Sequence, residues 1–320
     1  PPPPPPPPPA PHPPPPPHFF HAEDGIRDIV LCLVGSELCI RDRVWKQYVD
    51  YMYDIVGPRV IQGEPSGSVL ENYLINIPLG EEYTFQWMDF GPSYASRSRT
   101  VNDIFREQLP ISFELGLYAL FVAIIIGLPF GILAALRQNS FWDYSAMGIA
   151  IFGVSAPVIV LGPFLIWIFA VELGWFYPTG WITWQHKVLP AIALGLGSSA
   201  IIARLTRASL LQVIREDYIR TARAKGLVER VVVARHALRN ALIPVVTILG
   251  PIFAFLVTGS FVTETIFGIP GLGRYFITSI TNRDYPVITG TILLYALILV
   301  VANLLVDISY GWLDPRIRYE

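Results

Sequence analysis

The residue types that usually do chemistry are sparse here, and their spacing excludes most reactions. The two cysteines, Cys32 and Cys39, have no metal-ligand spacing, and the histidines are scattered. No disulfide framework, zinc site or bound cofactor is predicted from them. The chain also has no G-x-x-x-x-G-K-[ST] phosphate loop, so it carries no residues for hydrolysing ATP alone. Charge and small side chains are concentrated in one place instead. Glu216-Asp-Tyr-Ile-Arg-Thr-Ala-Arg-Ala-Lys-Gly226 starts acidic, turns basic and ends on a glycine. That order suits the dipole of a short helix with Gly226 at its C′ position. Leu227 to Pro244 reads as a longer amphipathic helix, with Val231, Ala234, Leu238 and Leu242 on one side and the arginines elsewhere. Two helices meeting at a glycine, with a small face at Ala222 and Ala224, make a knob that fits a partner's groove. A solvated basic loop would account for the arginines but not for the paired helices.

Four acids, Glu114, Glu172, Glu264 and Asp307, lie at or near the ends of apolar runs. Acids inside a membrane serve as relays or substrate contacts, whereas at a span end they reach headgroups or water, and both readings stand. Gly268, Pro270, Gly271 and Gly273 follow Glu264 closely. A straight helix is disfavoured there, and an external mouth or a re-entrant turn is predicted over Glu264–Arg274.

Hydropathy sets the elements that must carry these residues. The chain of 320 residues is 52% hydrophobic and 15% charged, with mean hydropathy +0.47. A soluble domain of this size rarely runs so apolar. Five runs stand out: Leu115–Leu136, Met147–Val171, Val188–Ala203, Pro244–Phe261 and Val287–Tyr310. Each is long enough, or nearly so, to cross a hydrocarbon core of about 30 Å. The predicted fold class is all-α, a polytopic membrane protein with five transmembrane helices in residues 111–320 and a cytoplasmic loop over 205–243. Gly127 and Gly131 form a GxxxG, and small residues cluster from Gly195 to Ala200; both are expected at helix contacts.

Arg204, Arg207, Arg215, Arg220, Arg223, Lys225, Arg230, Arg235 and Arg239 separate the third and fourth runs. Arg137, Arg316 and Arg318 fall on the same side, while the loop over 172–187 is aromatic with one lysine. The basic loop and the C-terminus are therefore expected in the cytoplasm, and residues 44–110 outside. That aromatic, Pro- and Gly-rich external segment suits either docking of another protein or a passive loop. The net charge of −2 gives no reason to expect nucleic acid; membrane lipid is the expected surroundings.

Residues 1–43 read as foreign to the rest. Pro1 to Pro17 holds half of the thirty prolines and suits only polyproline II or disorder. Ala22-Glu-Asp-Gly-Ile-Arg-Asp28 resembles an in-frame translation of a sequencing flow-cell adapter. Leu33-Val-Gly-Ser-Glu-Leu-Cys-Ile-Arg-Asp-Arg43 resembles a translated transposase adapter with one change. The segment is set aside as artefactual. Natural sequence is expected from near Val44 or Trp45, with an earlier span carrying 44–110 outward. Re-sequencing the source locus should replace 1–43 by a basic start and an apolar helix of about 20 residues. Recovery of the proline tract from intact genomic DNA would refute this.

Tyr218-Ile-Arg-Thr-Ala-Arg-Ala-Lys-Gly226, with His236-Ala-Leu-Arg-Asn-Ala-Leu-Ile-Pro244 downstream, resembles the coupling motif of ATP-binding-cassette importer permeases. The form is that of the dipeptide, oligopeptide and nickel family. Thr263-Glu-Thr-Ile-Phe267, Pro270-Gly-Leu-Gly-Arg274, Arg283-Asp-Tyr-Pro286 and Asn303-Leu-Leu-Val-Asp307 are similar to further blocks of that family. Trp45–Tyr48 and Phe90–Gly91 resemble its external segment. The resemblance runs from near Trp45 to the C-terminus and departs from the family's six spans by lacking the first. It implies a subunit of the bacterial inner membrane that forms the path for di- or oligopeptides. Nickel or glutathione is the alternative cargo, and a secondary transporter the weaker alternative. It implies a second permease subunit in a heterodimer, two ATP-binding-cassette ATPases holding ATP and magnesium, and an external binding protein. Contacts to the ATPase are implied for Asp217, Tyr218, Thr221, Ala222, Ala224, Lys225, Gly226, Arg239 and Pro244. Glu264, Gly268, Pro270, Gly271 and Gly273 are implied at the external mouth.

Overall fold

The computed structural model describes residues 99–313 and, ahead of them, 83–96, 73–78, 57–62 and residues 49, 52, 53 and 55. The readings of 1–43, of Trp45–Tyr48 and of Arg316 and Arg318 lie outside the described residues. The chain divides into two units, Pro1–Gly57 and Pro58–Glu320, and the second carries the spans.

Helix α1 spans Val101–Leu136. It begins well ahead of its apolar run because Thr100 and Asp103 form a capping box. The Asp103 amide donates to Thr100 Oγ1 at 3.2 Å, and the Thr100 amide donates to Asp103 Oδ2 at 2.9 Å. Helix α2, Phe141–Ser155, and helix α3, Val158–Leu165 with a π-helical continuation Ile166–Glu172, occupy the second run. They are bent by 104° to one another, so Met147–Val171 is a broken pair rather than one straight span. Pro157 supplies the break: it has no amide for the ladder and drives Ala156 out of the helical region, to φ −80 and ψ 111. Helix α4, Trp184–Val213, continues past Ala203 into the basic segment.

Two short helices, α5 and α6, follow and are described with the site. Then come α7 (Ile243–Thr258), α8 (Phe261–Ile266), α9 (Leu272–Asn282) and α10 (Tyr285–Leu313). Among the described residues four helical stretches are long and apolar enough to cross a membrane, or five with the bent pair as one span.

The spans are held by backbone proximity. A Cβ at Gly127 would lie 2.7 Å from the Ser199 carbonyl oxygen, and one at Gly131 2.6 Å from that of Ala203. At the other end a Cβ at Gly195 would lie 2.5 Å from the Ala119 carbonyl oxygen. Helices α1 and α4 thus run parallel in contact, as small residues permit where lipid offers no apolar driving force. Asp143, at 2% exposure, receives Arg207 Nε at 2.7 Å and Nη2 at 2.8 Å, and the Asn139 amide at 2.9 Å. This bidentate pair pins the start of α2 to α4 at the basic end.

The segment before α1 contains what hydropathy did not reveal. Strands β1 (Arg59–Gln62), β2 (Ile75–Pro78) and β3 (Tyr83–Trp87) form an antiparallel sheet in the order β1-β3-β2. Register pairs Val60 and Ile77 with Phe85. The period of two is hard to see because two of the buried positions, Thr84 and Gln86, are polar. The sheet leads into Phe90, fully buried, whose ring meets Phe105 of α1 edge-on at 5.1 Å. Beyond it, Asp284 in the turn before α10 accepts from Ser93 Oγ at 2.5 Å and from the amides of Tyr94 at 3.1 Å and Ala95 at 3.2 Å.

Substituting Gly131→Val should cost about 1–3 kcal/mol of stability, because the carbonyl it meets cannot yield. Thermal unfolding in detergent should show the loss, while Gly148→Val, with nothing within 4 Å of its Cβ, should leave the transition in place.

Candidate functional site

The basic segment folds as two helices joined at a glycine. Helix α5 is Asp217–Ala224; α6 comprises Glu229–Val231, a π-helical stretch Val232–Ala237, and Leu238–Ala241. Gly226 follows the cap residue Lys225 at φ +76, a left-handed conformation that glycine adopts without strain. A Cβ there would meet nothing within 4 Å, so the demand is conformational rather than steric. Across the turn Arg223 forms a two-pronged pair with Glu229, Nη2 at 2.7 Å and Nε at 3.1 Å. Asn240 Nδ2 donates to Tyr218 Oη at 2.7 Å and ties the two helices again.

The hydrogen bonds from Arg223 hold the Glu229 carboxyl below its ordinary 4.5, and those to Glu229 raise Arg223. With a folded value below the unfolded one, the pair contributes fully above pH 4.5 and fades as pH falls through the lowered value. At neutral pH the clasp is closed, but both groups are exposed and it is worth under about 1 kcal/mol.

Packing corrects two expectations about this pair. Ala222 is buried with Ile219 against Leu210, Val232, Ala237 and Ala241, so it does not share an outward small face with Ala224. The buried side of α6 is Val232, Ala237 and Ala241, while Val231 is exposed. The five-residue step from 232 to 237 is the π-helical repeat, which rotates the face away from the one a regular helix would bury. Asp217, Tyr218, Thr221, Ala224, Lys225, Gly226, Arg239 and Pro244 are exposed, joined by Leu227 and Val228.

A second polar centre lies at the opposite end of the spans. Between α8 and α9 the helix breaks over 267–271, and Glu264 is fully buried beside the break. Its Oε1 accepts from Ser112 Oγ at 2.7 Å and Ser260 Oγ at 2.6 Å; its Oε2 accepts from the Arg274 amide at 2.8 Å. Ser112 Oγ in turn accepts from the Leu272 amide at 2.8 Å. Two open amides at the N-terminus of α9 are thus met by side chains from α8 and α1, where a negative group is favoured by the helix dipole. Two hydroxyls and one backbone amide thus converge on a single carboxyl group.

The glycines explain how the junction closes. A Cβ at Gly271 would collide with the Glu264 carboxyl, and one at Gly273 would lie 2.8 Å from Phe261 Cα. Gly268 turns at φ +62, and Pro270 is exposed at the rim. The structure therefore gathers Glu264, Gly271 and Gly273 into one buried contact.

Sequence reasoning missed Ser112, since 152 residues separate it from Glu264 and no spacing links them. It also missed Asp143, Arg207 as its partner, and Asp284. The pair of glycines at 271 and 273 was the available signal that something approaches closely there. Two other span-end acids have partners of their own: Glu114 takes Lys187 at 2.5 Å and Trp181 Nε1 at 3.0 Å from about seventy residues on, and Glu172 takes Trp167 Nε1 at 3.1 Å from its own helix. Among the described residues no group of His, Cys, Asp and Glu could hold a metal ion.

Comparisons agree with this architecture. Residues 127–319 match the family described as Binding-protein-dependent transport system inner membrane component. The dipeptide transport system permease protein DppB of Bacillus subtilis is 50% identical over 251 residues, 77% of this chain and 82% of its own. The oligopeptide transport system permease protein OppB of Escherichia coli is 41% identical over 271 residues, 82% of this chain and 88% of its own. The glutathione transport system permease protein GsiC of Shigella flexneri is 47% identical over 232 residues, 72% and 76% of the two chains. A structure of the MetNI methionine ABC transporter in an inward-facing conformation shares the fold, with TM-score 0.55 at 21% identity, over 66% of this chain and 96% of that one.

Removing the carboxylate by Glu264→Ala leaves the Ser112 hydroxyl and the Arg274 amide without their acceptor, at about 1–3 kcal/mol for each that stays dry, while Ser260 Oγ keeps the Val257 carbonyl at 3.0 Å. A marked fall in unfolding temperature is expected. Arg274→Ala, which keeps the amide and removes only an exposed side chain, should unfold close to the unmodified chain.

Proposed function

We propose that this chain, which belongs to the family of binding-protein-dependent transport system inner membrane components, works with its basic end in the cytoplasm and its sheet-bearing end outside. It is a multi-pass membrane protein and a permease subunit of an ATP-binding-cassette importer. Pairing with a second permease, docking of two ATPases and delivery by an external binding protein complete the machine. ATP and magnesium reside on the ATPases.

One observation carries the coupling role: the α5–α6 pair stands at the basic end with Tyr218, Ala224, Leu227 and Val228 exposed around Gly226. Exposed apolar groups amid arginines suit insertion into an ATPase cleft better than solvation alone. Ala222 contributes from behind, by seating α5 on the spans. Closure of the ATPases would then press on α5 and, through Val232 and Leu210, on α4.

Di- and oligopeptides are the cargo supported by the identities to DppB and OppB. Glutathione is the second reading, supported by the identity to GsiC, and it belongs to the same chemical class. Uptake of a labelled dipeptide, challenged separately with excess unlabelled dipeptide and glutathione, distinguishes the two.

Gly226→Leu tests the coupling role, since a branched side chain at φ +76 is strained and the turn must rearrange. Uptake should fall by about tenfold or more, equivalent to about 1.4 kcal/mol, with weaker retention of the ATPases on purification and normal membrane insertion. Undiminished uptake in that variant would overturn the assignment.

A further inference from the structure

Helix α9 is clamped at both ends and loosely seated between them. At its N-terminus Glu264 and Ser112 take the Arg274 and Leu272 amides. At its C-terminus the chain turns through Arg283 at φ +57, and the Asp284 amide bonds back to the Ser279 carbonyl at 2.9 Å. This turn aims the Asp284 carboxylate at the Ser93 hydroxyl and the amides of Tyr94 and Ala95. Ser93 Oγ also receives the Ser96 amide at 3.1 Å, which folds the loop around the carboxylate.

Both clamping acids are buried, Glu264 at 0% and Asp284 at 2% exposure, and each accepts three hydrogen bonds from distant elements or from a helix end. Between the clamps only Leu272, Gly273 and Ser279 of α9 are buried, whereas Ile277 and Ile280 are exposed. A helix of eleven residues, about 16 Å long, held hard at its tips and along its flank by little more than a 3.5 Å contact from Arg99 to Tyr275, is suited to shift as a rod.

We propose that α9 is a strut that links the loop at 93–96 to the buried junction of α1 and α8, with Asp284 as the positioning residue at its outer tip. Displacement of the loop shifts Asp284, and α9 carries the shift to Glu264 and Ser112 inside the spans. The occupant that would displace the loop, an external binding protein, rests on the proposed function; the mechanical link does not.

Hydrogen exchange on the complete transporter in lipid nanodiscs tests the link directly. Asp284→Asn places amide hydrogens against donors and loosens the outer clamp. Exchange at the Leu272 and Arg274 amides, at the far tip, should then rise about tenfold or more, with α4 unchanged. Ser93→Ala, a milder change, should act in the same direction by about threefold. Acceleration confined to 93–96 and 279–284 would overturn the strut, as would a uniform rise across all spans. If Asp284→Asn does not assemble, Ser93→Ala decides on the same readout.

A second arm measures ATPase rate with and without the binding protein loaded with dialanine. The ratio of the two rates should fall about threefold or more in Ser93→Ala. An unchanged ratio overturns transmission from the loop. If the unmodified transporter shows no stimulation, the proposed delivery by a binding protein fails instead, and the exchange experiment still decides the strut.

Discussion

In hydrocarbon a backbone amide that loses its helical partner has no water to turn to, and each one left open costs several kcal/mol. Much of this protein is organised by how it meets that demand at its helix breaks. Asp143 accepts the Asn139 amide where α2 begins; Glu264 accepts the Arg274 amide where α8 gives way to α9; Asp284 accepts two amides beside the turn into α10. Buried acids need donors wherever they lie, and here they serve the places where the chain departs from a straight span, Glu264 among the helices and Asp284 beside the loop at 93–96. Removing any of them exposes donors rather than merely deleting a charge.

The seat of the α5–α6 pair and the opposite end of the bundle use different physics. At the basic end the α5–α6 pair is held by an apolar contact of small residues, Ala222, Ala237 and Ala241 on Leu210, with the Arg223–Glu229 clasp outside. Such a contact has shape but little directional force. At the other end the contacts are hydrogen bonds of fixed direction around Glu264 and Asp284. The first arrangement suits a surface that another protein grips and pushes; the second suits elements that must keep their orientation.

Hydropathy made the spans legible, because a continuous apolar run of sufficient length has few other uses. The GxxxG at Gly127 and Gly131 and the turn at Gly226 were equally readable, since each requires glycine for a local reason. What stayed hidden has common causes. Pro157 lies inside an apolar run, so hydropathy passes through it while the backbone turns by 104°. The π-helical stretch from Val232 adds a residue to the repeat and defeats a face drawn at ordinary helical spacing. The sheet buries Thr84 and Gln86, which carry no apolar signature. Ser112 and Asp284 act through partners more than 150 residues away, a relation no local pattern encodes.

The glycine contacts between α1 and α4 also work as a ruler. Gly127 and Gly131 sit over the carbonyls of Ser199 and Ala203, four residues apart on both helices. Each of these contacts leaves no room for a side chain, so the two helices fit closely at this register. The two helices therefore share one register and travel together. A push that reaches α4 through Leu210 would therefore be handed on to α1, and the pair would answer it as one body.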